Sequence, residues 1–72
     1  MTKFKIELVG LEDCKNLVKN IEKSGKSAVL TDGNDYCVSA KSLLGALASL
    51  EWDELYIQSK DDIYYEVKQW IR

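Results

Sequence analysis

The chain has 72 residues, a formal net charge of −2, no histidine, no proline and two cysteines, so it reads as a single small domain, 1–72, that buries only about 60% of its unfolded surface. The acidic balance argues against nucleic acid or an anionic membrane as partner, because both call for a basic face. No run reaches the ~18 apolar residues that span a bilayer. Without histidine, Cys/His zinc sites, Ser-His and Cys-His catalysis and phosphohistidine chemistry are all excluded.

Lys3 to Val9 alternates, with Phe4, Ile6 and Leu8 on one side and Lys3, Lys5 and Glu7 on the other, which predicts a half-buried strand ending at Gly10. From Leu11 the apolar positions Cys14, Leu17, Val18 and Ile21 follow helical spacing. Ser24-Gly25 closes that helix, with Gly25 at the left-handed C′ position. Ser27–Leu30 and Tyr36–Val38 read as short strands, and the turn-forming residues Thr31 to Asp35 between them make a hairpin. Ser42 stands where an N-cap belongs, before a helix running to about Leu50. Glu54 to Gln58 is a fourth strand, with Leu55 and Ile57 on one face and Tyr56 on the other. Asp61-Asp62 begins a last helix whose inner stripe is Ile63, Val67, Trp70 and Ile71, flanked by Tyr64.

The resulting order, β-α-β-β-α-β-α, predicts an α+β open-faced sandwich: a four-stranded antiparallel sheet with three helices on one face. A split β-α-β arrangement is the competitor, and it would leave the third helix as an appendage.

The second helix is the unusual element. Leu43, Leu44, Ala46, Leu47, Ala48 and Leu50 make it apolar almost all the way round, and such a helix expects burial on every side. A chain this short has too little interior to surround it. At least two of its leucines are expected in the core, and the rest are expected outward for a partner. Gly45 inside the helix costs about 1 kcal/mol relative to alanine, which points to close backbone packing or to function.

The element order and the tract Lys41-Ser42-Leu43-Leu44-Gly45, followed by Ala48-Ser49-Leu50, resemble HPr, the histidine-containing phosphocarrier of the bacterial sugar phosphotransferase system. That family shows a Lys-Ser-Ile/Leu-Met/Leu-Gly signature after its hairpin and a Gly-Ile/Leu-His-Ala-Arg-Pro pattern after its first strand. Here the second pattern reads Gly10-Leu11-Glu12-Asp13-Cys14-Lys15. The Gly-Leu pair matches, but the acceptor position falls on Glu12, the arginine position near Cys14 and the proline position near Lys15. The resemblance therefore implies the HPr-like fold without the usual phosphoryl transfer.

It also implies a regulatory phosphorylation site at Ser42, as in HPr proteins of Gram-positive bacteria. A catabolite-repression homologue in the family likewise lost the histidine and kept this serine. Family partners dock on apolar residues that map onto Leu43, Leu44 and Leu47, with Lys41 beside them.

Local readings compete with these roles. Ser42 is explained by capping alone. Glu12 and Asp13 are a degenerate acceptor site or a stand-in for a phosphate, or else ordinary first-turn acids that complement the helix dipole. Cys14 is a reactive thiol at a helix start or, from its place in the apolar stripe, a buried structural one. Cys37 is expected in the core, and both thiols are expected free, as in a reducing compartment. Asp61-Asp62 fits a helix cap better than a metal site. Trp52, Tyr56, Tyr64 and Tyr65 fit core and edge packing better than a ligand platform.

The sequence-level expectation is a non-catalytic, regulatory protein-binding module related to the phosphotransferase system, with no cofactor and no metal. It is a monomer or weak dimer. The segment Met1-Thr2-Lys3-Phe4 carries no export pattern, so the expected location is the bacterial cytoplasm. The alternative is a divergent phosphocarrier in which Glu12, Asp13 or Cys14 accepts the phosphoryl group. A drifted accessory domain or remnant without function is a third reading.

Overall fold

In the computed structural model, which describes all residues 1–72, the first alternating segment has a partner on each edge. Strand β1 spans Thr2–Lys5 and pairs antiparallel with β4 (Tyr56–Ser59), Thr2 opposite Ser59 and Lys5 opposite Tyr56. The Ile6 N–H still donates on the β4 side, to the Leu55 carbonyl at 2.9 Å, while the opposite edge of β1 takes the C-terminal residues from Lys5 onward. Ile6 forms an isolated bridge with Ile71, the Glu7 N–H donates to the Trp70 carbonyl at 2.9 Å, and the Arg72 N–H donates to the Lys5 carbonyl at 2.9 Å. Ile6 and Leu8 remain on the inner side and are buried.

Strands β2 (Val29–Thr31) and β3 (Cys37–Ser39) form the hairpin, within one or two residues of the expected bounds. β4 inserts between β1 and β2, so the sheet order is β1-β4-β2-β3 and every ladder is antiparallel. Phe4, Ile57, Leu30 and Val38 line up across all four strands. This rung joins the core, Ile57 and Leu30 fully buried and Phe4 and Val38 packed against it. Because side chains alternate along a strand, Lys3, Lys5, Thr31, Tyr56 and Gln58 fall on the other, open face.

Helix α1 covers Gly10–Ser24. Gly10 turns the chain with φ +74°, and Gly25 ends the helix with φ 73°, its N–H donating to the Glu22 carbonyl at 3.3 Å. Both positions lie in the region where a side chain is strained. Cys14, Leu17, Val18 and Ile21 are the buried residues of this helix, as their spacing predicts. Helix α2 is Leu43–Ser49 and packs on α1, β2 and β3. The molecule is an α+β open-faced sandwich of a four-stranded antiparallel sheet and three helices.

The last helix differs from expectation at both ends. α3 is a four-residue helix, Tyr64–Val67, continued by a 3-10 turn at Lys68–Trp70. It begins after Asp61-Asp62, because the Asp62 carboxylate accepts the Tyr64 N–H at 3.1 Å and holds a turn there. Ile63, Val67 and Trp70 are buried, whereas Ile71 is extended and belongs to the bridge with Ile6. Nor is this segment an appendage. The Asn20 side chain donates to the Glu66 carbonyl at 3.1 Å, and Lys26 Nζ reaches the Glu66 carboxylate at 3.1 Å and the Asp62 carbonyl at 2.6 Å.

Cys37 also departs from expectation. It sits on the edge strand β3, whose central residue Val38 turns inward, so the thiol of its neighbour is exposed. Cys14 is buried, and both cysteines are free.

Candidate protein-docking surface

The outward face of α2 is built by what lies beneath it. Only Ala46 and Ser49 of this helix are fully buried, and both are small. No leucine of the tract is fully buried: Leu47 is half-buried against the core, Leu43 and Leu50 are exposed, and Leu44 is 81% exposed. The expectation of two core leucines is corrected on this point. Small inner residues let the helix lie close to its neighbours, and Leu47 alone of its leucines packs, partly buried, against the core. The Cys14 thiol of α1 is 3.5 Å from the Ala46 carbonyl, and the Ser49 hydroxyl donates to the same oxygen at 2.6 Å.

Gly45 completes the close approach. A β-carbon at this position would stand 3.0 Å from Val38 Cβ and 3.1 Å from Val38 Cγ2. Of the two readings of Gly45, close backbone packing is the one the geometry accounts for.

Ser42 caps α2 as its position predicts. Its hydroxyl oxygen accepts the Gly45 N–H at 3.1 Å, with the backbone of Ser42 extended. Ser39 prepares the turn, accepting the Lys41 N–H on its hydroxyl at 3.1 Å and the Ser42 N–H on its carbonyl at 3.2 Å. Ser42 is partly exposed and Lys41 exposed. Lys41, Ser42, Leu43 and Leu44 therefore lie together at one end of the surface.

Glu12, Asp13 and Cys14 do not converge. Successive helical residues point about 100° apart, and these three go separate ways. Glu12 is exposed and pairs with Lys15 at 3.9 Å. Asp13 reaches back to accept the Val9 N–H at 2.7 Å, satisfying a backbone donor at the start of α1. Cys14 faces inward, and burial, reinforced by the nearby Asp13 charge, pushes its thiol pKa up. A raised pKa is the opposite of what a nucleophilic thiol needs.

Three apolar residues were not among the candidates but are exposed: Val9, Leu11 and Leu50. Cys14 meets Ala46, and Val18 lines a groove with Leu43, so α1 and α2 run antiparallel and Val9 and Leu11 lie toward the Leu50 end of α2. Leu11 had a legible signal, since it is an apolar residue off the 14-17-18-21 stripe. Lys15, Lys19 and Lys23 border the groove beside Leu43.

The four aromatics considered as a platform do not form one surface, although Tyr64 and Tyr65 meet edge to face with ring centroids 5.5 Å apart. Trp52 stacks on Tyr36, Tyr56 lies under Lys3 on the open face, Tyr64 packs on Phe4, and Tyr65 carries Lys68. No group of three or more acidic or cysteine side chains is arranged to hold a metal ion, and no helix is long and apolar enough to cross a membrane.

Comparison with known proteins returns no match: no family model, no curated protein and no solved structure is significantly similar to this chain.

Proposed function

We propose that this chain is a non-catalytic, HPr-like regulatory module that works in the bacterial cytoplasm by binding a protein partner through the outer face of α2. The observation that carries the reading is the exposure of Leu44, held outward on a capped helix whose fully buried residues are Ala46 and Ser49. An exposed leucine costs solubility and contributes nothing to the core, so its display on a rigid helix fits a contact surface. Lys41, Leu43, Leu44 and Leu47 are the contact residues, and Val9, Leu11 and Leu50 extend them. The resemblance of the Lys41–Leu50 tract to the HPr signature supports the same face, as does the antiparallel open-faced sandwich.

Ser42 is the regulatory position of this reading. Phosphorylation there adds about −1.5 to −2 charge beside Lys41 and the leucines, enough to reset an apolar contact. The phosphocarrier alternative draws no support from the acceptor candidates, because Cys14 is buried with a raised pKa and Asp13 is engaged by the Val9 N–H.

The deciding experiment compares the intact chain with Leu44→Glu and Leu47→Glu as baits in a bacterial lysate. A partner held by the intact chain and lost by both variants, each still folded, is the expected result. If the variants keep everything the intact chain captures, the docking face is wrong. Incubation with phosphoenolpyruvate and the general phosphotransferase enzyme is expected to leave the mass unchanged. A gain of one phosphate on Glu12, Asp13 or Cys14 would overturn the non-catalytic reading.

A further inference from the structure

Tyr36 and Trp52 stack, with ring centroids 5.8 Å apart and planes 15° from parallel. Tyr36 closes the β2–β3 turn and Trp52 follows α2, so the rings join the hairpin to the α2–β4 connection. Beside them opens a cleft of about 400 Å³ whose rim holds Asp32, Glu51, Asp53 and Glu54 and no lysine or arginine. Tyr36 stays 62% exposed in spite of the stack.

Two other tyrosines of the protein already carry a cation on their rings. Lys3 Nζ sits 4.9 Å from the Tyr56 ring centre, and Lys68 Nζ sits 5.5 Å from that of Tyr65. No cation of the chain stands over Tyr36 or Trp52. Three of the four carboxylates, those of Asp32, Glu51 and Asp53, make no ion pair. Only Glu54 of the four carboxylates has an ion-pair partner, Lys5 at 3.8 Å. Asp32 accepts the Asn34 N–H at 2.8 Å and the Tyr36 N–H at 3.0 Å. These bonds, that from Asn34 foremost, lower its pKa below the usual carboxylate range and fix its position. The cleft therefore combines a flat π surface with three carboxylates that no side chain of the protein pairs. Both attract a cation, and a planar guanidinium matches a stacked ring face better than an ammonium does.

We propose that the Tyr36–Trp52 cleft binds an arginine-bearing segment of a partner protein, with the guanidinium lying on the exposed face of Tyr36 among the carboxylates of Asp32, Glu51 and Asp53. This surface is separate from the leucine face of α2 and does not rest on the reading of that face.

The test is a titration of the ¹⁵N-labelled chain with a tetra-arginine peptide, followed on the Trp52 indole N–H and the amides of residues 32–36 and 51–54. Saturable shifts confined to these signals are expected. Tyr36→Ser, and the pair Glu51→Gln with Asp53→Asn, are each expected to weaken binding about tenfold, and tetra-lysine is expected to bind several-fold more weakly than tetra-arginine. Asn16→Ala, on the exposed side of α1, leaves the affinity unchanged. Shifts spread over every acidic surface, equal binding of tetra-lysine, or no saturation at millimolar peptide would overturn the assignment. Should Tyr36→Ser disturb the hairpin, the Glu51/Asp53 pair, on an exposed connection, still decides the matter.

Discussion

Gly45 lies against Val38 so closely that a β-carbon on it would come within 3.0 Å of the Val38 Cβ. That contact sets how near α2 approaches β3, and with it which side chains of α2 remain outside. A Cβ cannot rotate out of the way, and a valine has little χ1 freedom to yield.

Gly45→Ala sets a helix-propensity gain of about 1 kcal/mol against an overpacking cost of about 1–3 kcal/mol. Because the clash is with a Cβ, the cost is expected to win, with a net loss of about 1 kcal/mol in urea unfolding. In a Val38→Ala background the same substitution is expected to become neutral or stabilising. Equal effects in the two backgrounds would show that the contact does not govern the position.

The inward and outward residues of α2 should respond oppositely to size and charge. Leu44→Glu is expected to change stability by less than about 0.5 kcal/mol, since the side chain is surrounded by water. Ala46→Leu, at a site with no exposure and a thiol against its carbonyl, is expected to cost at least about 2 kcal/mol. Denaturation of both variants checks the orientation of the helix without reference to any partner.

Ser42→Ala removes the acceptor for the Gly45 N–H and is expected to cost about 1 kcal/mol. Ser42→Asp keeps an acceptor at the cap and is expected to stay within about 0.5 kcal/mol of the original chain. The pair matters for any phosphorylation experiment, because an effect of Ser42→Ala on partner binding has to be compared with the Asp variant before it is assigned to lost phosphate. Thermal melts provide the comparison.

The two thiols should differ in reactivity. Cys37 is exposed and is expected to react with a thiol reagent at the rate of a free cysteine, whereas Cys14 waits for unfolding. Burial and the Asp13 charge raise the Cys14 pKa in the folded state. The folded chain thus holds its proton where the unfolded chain has begun to lose it, and the unfolded state binds fewer protons. Stability contributed by the neutral thiol is complete below the unfolded value, about pH 8.5, and declines as the pH rises above it. Cys14→Ala is expected to flatten this alkaline decline, measured as denaturation midpoint against pH.

Most of the elements were legible because each obeys a local rule. Cys14, Leu17, Val18 and Ile21 are buried because their spacing makes one stripe, and Ser42 caps because its hydroxyl sits next to free N–H groups. Errors arose where the partner of a segment is distant in sequence. Lys3–Val9 alternates throughout, yet its regular pairing with β4 ends at Lys5, and its other edge is covered from Lys5 to Glu7 by Trp70–Arg72 from the far end of the chain. Cys37 looked like a core residue until β3 proved to be an edge strand with Val38 as its inward residue.

The chain's own pattern, then, determined its first two helices, its hairpin and the Ser42 cap, since these depend on neighbours within a few positions, and its composition alone left no imidazole for chemistry. Only the tertiary structure decided that β4 lies between β1 and β2, that Ala46 and Ser49 rather than leucines are the fully buried residues of α2, and that Tyr36 meets Trp52. Those outcomes depend on which surfaces compete for the same space. An apolar residue records that it prefers to leave water, but not whether a place in the core is left for it.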